Sequence, residues 1–335
     1  MKINIKTVAN KAGVSTATVS RVLANFKGIK ENTRNKVLDT IKDLNYEVDS
    51  VARSLRQNKT NTIGIIVSNV LSQFYSIIAK SVEDKALESG YKLILCNSDD
   101  DPSKELEYLK ILKSNKVDGI ILTPTGKNAE YINNIIESGI QVVLLDRLVE
   151  GVNCDSVLVD NYKGSYTATE YLLGRGYKKI AFIGGYIDRT TGRQRLDGYS
   201  MALKEAGIRV NNDLVKIGDF KKESGVKLTK ELLEDTLIPD ALFSSNIDMT
   251  LGCLIAIKNA GLSIPEDIAI VGFDDPDWSI IADPPLTTIS QPVYELGLKA
   301  TEILIKNIND KKSYSGNKPS IVTLDTSRII RSSTK

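Results

Sequence analysis

The sequence predicts an α/β protein with a small all-helical head and a body of two doubly wound parallel sheets. From Thr62 onward, short apolar runs alternate with amphipathic helical patterns. This βαβ rhythm places strands in parallel sheets with helices on both faces. The alternation is too long for one such sheet, so two sheet domains are expected. Charge divides at the same place: residues 1–59 hold 12 Lys/Arg against 5 Asp/Glu, a net of +7, whereas 60–335 hold 32 against 37, a net of −5. The whole-chain +2 is therefore a cancellation, and the basic head is a candidate for contact with a phosphate backbone. A length of 335 residues fits two or three domains.

The head reads as three short helices. Val8, Ala9 and Ala12 give the first an apolar face, and Gly13 supplies its left-handed stop. Ser15 is placed to N-cap the second, which turns Val19, Val22 and Leu23 inward. A third helix, about 32–44, offers Val37, Leu38, Ile41 and Leu44 as its inner stripe. Small residues at Ala9 and Gly13 let the first two helices cross closely, as a helix-turn-helix requires. With the second helix in a major groove, Thr16, Ala17, Ser20 and Arg21 would face base edges, and Thr18, Lys30 and Thr33 would suit phosphates. Charge and periodicity alone fit equally well a small bundle with a solvated basic face.

In the body, strands are predicted at Ile63–Val67, Tyr91–Cys96, Val117–Leu122, Gln141–Leu145, Lys179–Ile183, Leu214–Ile217, Ala241–Phe243 and Ile268–Val271. Helical patterns fall between them, among them stretches carrying Ile77 to Leu87, Leu106 to Leu112, Tyr131–Glu137, Thr167–Leu173 and Gly198–Ala206. Ligands of open parallel sheets sit beyond the carboxyl ends of the strands, so a cleft between the two halves is the default site.

Composition excludes several kinds of chemistry. The chain has no histidine, which removes Ser/His/Asp and Cys/His catalysis and His-ligated zinc. Cys96, Cys154 and Cys253 form no CxxC pair, and free thiols fit a reducing cytosol. No long apolar run appears at the N-terminus or elsewhere, so neither a signal peptide nor a membrane span is expected. The Gly184-Gly185 pair lacks a full phosphate-loop pattern. A cytoplasmic protein without a cofactor is expected.

The string Val8-Ala9-Asn10-Lys11-Ala12-Gly13-Val14-Ser15-Thr16-Ala17-Thr18-Val19-Ser20-Arg21-Val22-Leu23 resembles, almost residue for residue, the signature of the LacI/GalR family of bacterial transcription regulators. Further landmarks are Ile63-Gly64-Ile65-Ile66-Val67, Val117-Asp118-Gly119-Ile120-Ile121, Asp160-Asn161, Val271-Gly272-Phe273-Asp274-Asp275 and the segment from Pro284 to Pro292, so the resemblance spans the chain. It implies a homodimer, or a tetramer, reading near-palindromic double-stranded operator DNA. The implied DNA-contact set is Thr7, Ser15, Thr16, Ala17, Thr18, Ser20, Arg21, Asn25, Lys30 and Thr33, with Val51, Ala52, Arg53 and Leu55 on a hinge helix whose leucine wedges into the minor groove. Where the family often has Pro-Asn, this chain has Val48-Asp49, and Asp49 is read as the hinge helix's N-cap.

The resemblance also implies a core like the periplasmic sugar-binding proteins. Two subdomains, joined by three crossovers near Asn161, Gln291 and Val322, would close on a small sugar or sugar acid. The matching positions are Asp146, Arg195, Asn246 and Asp274 as polar ligands, with Ser68, Phe74 and Tyr75 on the N-terminal wall and Trp278 at the rim. Each carboxylate or amide is also suited to capping a turn, Arg195 to a helix surface, and Phe74 and Tyr75 to the core. Asp248 is a doubtful member of the set, because the family's frequent Asn-Asp is Asn246-Ile247-Asp248 here. The segments 96–102, 123–126 and 146–150 look closest to regulators of uronate or ketodeoxygluconate use, and Arg189, Arg193 and Arg195 near the cleft would suit an acidic sugar as well as a neutral one. Expected boundaries are 1–48 for the helix-turn-helix domain, 49–60 for the hinge and linker, and 61–335 for the core. Within the core, the N-subdomain covers about 61–161 and 291–321, and the C-subdomain about 162–290 and 322–335.

Rival readings are a transport receptor, which the basic head disfavours, a sugar-modifying enzyme using Asp146 and Asp274, and a global catabolite regulator controlled by a protein partner. The enzyme reading lacks an accompanying nucleophile, metal cluster or phosphate loop.

Overall fold

The computed structural model describes residues 3–23, 26, 28–46, 59–313 and 318–335. The chain divides into two compact units, Met1–Thr60 and Asn61–Lys335.

The first unit holds α1 (Ile5–Ala12), α2 (Thr16–Leu23) and α3 (Glu31–Asp43). Asn4 starts α1, its Oδ1 accepting from the amides of Lys6 and Thr7 at 3.0 and 3.1 Å. Gly13 ends α1 at φ 64°, a left-handed conformation that favours glycine, and the Val14 amide reaches back to the Ala9 carbonyl at 3.0 Å. Ser15 caps α2 as expected, its Oγ accepting from the Thr18 amide at 3.1 Å. Val8, Ala9, Ala12, Val19, Val22 and Val37 form the buried centre, with Ile41, Leu44 and Tyr46 packed around it. One expected core residue fails: Leu38 is 45 % exposed, and Thr40 is buried in its place. Leu38 lies about 100° around the helix from Val37, outside the stripe that Val37, Ile41 and Leu44 trace. Asn25, Asp49, Val51, Ala52, Arg53 and Leu55 lie outside the described residues.

The second unit contains two six-stranded sheets. The first runs β11-β5-β4-β3-β1-β2 and the second β12-β10-β9-β8-β6-β7. The strands of the first are β1 (Thr62–Val67), β2 (Lys92–Asn97), β3 (Gly119–Leu122), β4 (Gln141–Leu145), β5 (Asp155–Val159) and β11 (Ile321–Leu324). Those of the second are β6 (Ile180–Gly184), β7 (Val215–Ile217), β8 (Ala241–Ser244), β9 (Ala269–Phe273), β10 (Thr287–Ser290) and β12 (Ser327–Ile329). Every pairing is parallel except β10 with β12. The shared order 2-1-3-4-5 reverses direction beside the first strand of each lobe, where such sheets bind ligands beyond their carboxyl ends. Apolar clusters sit on both faces of both sheets, which explains strands as continuously apolar as Ile63–Val67.

Three crossovers join the lobes. The helix Asn161–Gly174 after β5 packs in the second lobe through Ala168 and Leu172, and Val293–Asp310 after β10 returns to the first through Leu296, Ala300 and Leu304. The third was expected near Val322. Because β11 pairs in full with β5, from Ile321 opposite Ser156 to Leu324 opposite Val159, that crossover falls past Leu324. Strands β5, β10, β11 and β12 were not anticipated: β10 is the polar string Thr-Thr-Ile-Ser, and β11 and β12 are short edge strands.

Candidate functional site

A cavity of about 490 Å³ opens between the lobes, built from residues that directly follow strands. Ser68 follows β1, Asp99 and Asp100 follow β2, and Asp146 and Arg147 follow β4. Asp219 and Phe220 follow β7, Asn246 follows β8, Asp274 follows β9 and Gln291 follows β10. Of the eight side chains expected here, seven converge: Ser68, Phe74, Tyr75, Asp146, Arg195, Asn246 and Asp274. Trp278 does not. It is partly buried against the second lobe's core cluster, because the short helical turn Asp277–Ser279 carries its indole there.

Asp146 and Asp274 occupy equivalent places in the two lobes. Each is the first residue past a central strand, with φ of 69° and 79°, and each amide bonds the neighbouring strand, Asp146 to the Val157 carbonyl and Asp274 to that of Ile289. Aspartate tolerates the left-handed region better than most side chains, and strain of this kind collects at functional sites. Phe220, at φ 64°, is a bulkier outlier on the cleft wall. A Cβ on Gly185 would stand 2.3 Å from the Phe220 ring, so the Gly184-Gly185 turn makes room for that ring rather than for a phosphate.

Charged groups are brought together here with few spare partners. Tyr75 Oη donates to Asp146 Oδ2 at 3.2 Å and accepts from Arg147 Nη2 at 3.3 Å. Arg147 Nη1 donates to Asp100 Oδ1 at 2.7 Å, and Arg147 Nε lies 3.5 Å from Asp146 Oδ2. Arg195 lies over the Phe273 ring at 3.8 Å from its centroid, gives Nε to Asn161 Oδ1 at 2.8 Å and gives Nη1 to the Ser245 carbonyl. Among the described residues Nη2 of Arg195 has no hydrogen-bond partner, on a side chain that lines the cavity. Asp274 accepts from the Ile247 amide at 3.1 Å and from Gln291 Nε2, while Gln291 Oε1 is buried with no hydrogen bond. Asn246 is already committed, accepting from the Met249 amide at 3.1 Å as a helix cap and donating to the Phe220 carbonyl at 3.0 Å. Its turn-closing role is therefore real, and it also fixes the strained Phe220.

Burial pushes the carboxyls of Asp146 and Asp274 above the ordinary range, despite the nearby guanidinium groups, and likewise that of half-buried Asp248, which also lines the cleft. Burial lowers Arg195, with Asp274 and Asp146 opposing it. For Arg147, burial is outweighed by Tyr75, Asp100 and Asp146, which hold the guanidinium firmly charged. Of the three arginines expected near the cleft, only Arg195 lines it. Arg193 is exposed, and Arg189 is spent on Asp188 at 3.2 Å and Asp100 at 3.8 Å. The Arg189–Asp100 pair bridges the lobes, as do Lys127–Asp188 at 3.7 Å and the Leu148 amide to Thr190 Oγ1 at 3.2 Å.

Among the cleft residues missed in the sequence are Asp100, Arg147, Phe220 and Gln291. Arg147 and Gln291 each adjoin a strand end, a signal that was available. Phe220 and Asp100 sit on turns whose direction only the fold supplies.

In the head, Ser15, Thr16, Ala17 and Arg21 are exposed along the start and outer face of α2, with Ser20 and Thr18 half-buried. Lys30 is exposed at the start of α3 and Thr33 is half-buried. The Thr7 hydroxyl is engaged, accepting from the Asn4 amide at 3.4 Å and completing the α1 capping box. Among the described residues no helix is long and apolar enough to cross a membrane.

A helix-turn-helix unit followed by a two-lobed α/β body with a charged interlobe cleft defines a DNA-binding transcriptional regulator with a ligand-binding core. Residues 4–49 match the bacterial regulatory proteins of the lacI family, and residues 60–324 match the periplasmic binding proteins and sugar-binding domain of the LacI family. The chain is 39 % identical over 313 residues to the HTH-type transcriptional regulator RegA of Clostridium saccharobutylicum, covering 93 % of this chain and 94 % of that one. It superposes on the transcriptional regulator CelR in complex with cellobiose with a TM-score of 0.75, at 30 % identity, covering 99 % of this chain and 100 % of CelR. On the Lac repressor dimer bound to operator and the anti-inducer ONPF the TM-score is 0.87, at 25 % identity, with 100 % and 99 % covered. The protein belongs to the LacI family. The named relatives are transcriptional regulators.

Proposed function

We propose that this protein is a cytoplasmic homodimeric repressor of a carbohydrate-utilisation operon, released or engaged by a small polyhydroxylated effector in the interlobe cleft. The observation that carries the reading is the convergence of Tyr75, Asp146, Arg195 and Asp274 from both lobes on one cavity, with Arg195 Nη2 and Gln291 Oε1 left over for a ligand. Carboxylates and guanidinium groups fork onto adjacent hydroxyls, and Phe220 and Tyr75 offer apolar walls. Neither a nucleophile nor an acid/base relay is required by this arrangement, so the protein binds its sugar and leaves it unchanged.

Ligand contacts to both lobes change their relative stability when closed, and the dimer passes this difference to the DNA-reading heads. Arg21 is proposed to read guanine, Thr16 and Ala17 thymine methyl groups, and Thr18, Lys30 and Thr33 the phosphates. Selection of duplexes from a random pool by the full chain tests the DNA half: it should enrich near-palindromic sites. Arg21→Ala should then lose about 1–3 kcal/mol of affinity and relax one base pair per half-site. An Arg21→Ala protein that keeps full affinity at the same salt concentration contradicts the assignment. A thermal-shift screen of neutral sugars and sugar acids tests the other half, since a ligand held only by the folded state raises the melting temperature.

A further inference from the structure

The run Asp99-Asp100-Asp101 is divided among three tasks. Asp101 caps the helix Pro102–Ser114, accepting from the Ser103 amide at 2.7 Å. Asp99 lies exposed at the rim, holding Lys104 and, at 2.6 Å, the Asn97 amide group. Asp100, at φ 58°, instead reaches the cleft and takes Arg147 Nη1 at 2.7 Å, with its side chain 18 % exposed and that of Arg147 7 % exposed. Asp100 holds this conformation on the turn that the Asp101 amide closes onto the Ser98 carbonyl at 3.0 Å, and it lines the cleft.

We propose that Asp100 sets the charge specificity of the effector site by occupying Arg147, so that the cleft selects neutral polyols over their carboxylate counterparts. This rests on the cleft being the sugar site. Around the cavity inside its exposed rim stand the acidic side chains Asp100, Asp146, Asp248 and Asp274 against Arg147 and Arg195, so carboxylates outnumber guanidinium groups before any ligand arrives. Arg147 is already matched by Asp100 at 2.7 Å and Asp146 at 3.5 Å. A ligand carboxylate would therefore add a further uncompensated negative charge in a poorly solvated space, while hydroxyl groups add none. The lysines at the rim, Lys221 and Lys222, are exposed, and Lys222 stands 3.6 Å from Glu223, so they do not restore the balance inside. Asp100→Asn keeps the shape and an oxygen acceptor for Arg147 but removes the charge, leaving Arg147 able to answer a ligand carboxylate.

The test uses the full-length protein and titration calorimetry with paired probes: D-glucose with D-glucuronate, and D-galactose with D-galacturonate. The wild type should bind the neutral member of a recognised pair more tightly. Asp100→Asn should shift the acid-to-neutral affinity ratio toward the acid by about tenfold or more, as loss of one close charge predicts. Asp100→Ser, smaller and uncharged, should shift it the same way, which separates charge from shape if Asp100→Asn folds poorly. Arg189→Gln, which removes the interlobe partner of Asp100 without freeing Arg147, should leave the ratio unchanged or move it toward the neutral sugar. Equal changes for both members of a pair in Asp100→Asn, or a wild type that prefers the acid, overturn the proposal. A wild type that binds neither member of either pair, nor any sugar in the wider screen, overturns the sugar-site reading itself.

Discussion

Asp274 and Asp275 are neighbours in the chain and opposites in their surroundings. Asp274 turns into the cleft at φ 79°, and burial pushes its carboxyl up. Asp275 turns the other way. It takes Arg331 through both oxygens at 2.7 and 2.9 Å and also accepts from Ser279 at 2.6 Å and Thr288 at 2.8 Å. Burial would raise Asp275 too, but Arg331, Ser279 and Thr288 outweigh it and hold its carboxyl below the ordinary range. One region ties the last segment of the chain to the second sheet and is fully matched. The other keeps charge and hydrogen-bonding capacity in reserve, a cost in stability that makes sense where a ligand must complete the set.

The difference between the two is open to direct attack. The largest effect is expected from Asp275→Ala, which strands the partly buried Arg331 and should lower the unfolding free energy by about 2–4 kcal/mol in urea titration while sparing ligand affinity. A loss below about 0.5 kcal/mol would show the clasp to be decorative. Asp274→Asn should do the reverse. Ligand affinity should fall about 10- to 100-fold, the value of a hydrogen bond to a charged group, and the ligand-free protein should unfold no more easily than the wild type. Marked destabilisation of the ligand-free form by Asp274→Asn would erase the contrast.

A smaller effect separates the regions by pH. Asp146, Asp248 and Asp274 have carboxyls raised above their ordinary value of 3.8, so the folded state keeps protons that the unfolded chain has already released. Their contribution to stability is present below that value and is lost as pH rises through the raised folded values. Asp275 and Asp155 are lowered, so theirs is present above 3.8 and is lost as pH falls through the depressed values. Melting temperatures across the acid range should therefore show Asp274→Asn flattening the decline on the rising-pH side, and Asp275→Asn flattening the loss on the falling-pH side. Superimposable profiles for the two variants would contradict these environments.

The same contrast explains what could be read in advance. Parallel strands sealed on both faces leave long apolar runs, so Thr62–Val67 and Gln141–Leu145 were legible, and the cleft followed from the rule that ligands sit past strand ends. Asp146, Asp274 and Arg195 are named by the family resemblance, and all three line the interlobe cavity. Trp278 misled because an aromatic four residues past Asp274 looks poised over the cleft, whereas a single short turn sends it to the core. Asp100 and Phe220 escape a sequence reading because their roles depend on left-handed turns, at φ 58° and 64°, whose direction is set by the fold around them. Thr287–Ser290 carries no apolar signature of a strand, because its threonines are buried through hydrogen bonds rather than through apolar side chains.

The central claim, that the cleft governs DNA reading, is tested most directly by one measurement. The anisotropy of a labelled duplex selected by the full chain is followed at fixed salt while a sugar identified by thermal shift is titrated in, for the wild type and for Asp274→Asn. The wild type should show a sugar-dependent change in duplex affinity. Asp274→Asn should show an unchanged affinity without sugar and a response displaced to about 10- to 100-fold higher sugar concentration. Identical sugar responses in the two proteins, or no response in a wild type that binds both sugar and duplex, would contradict the claim.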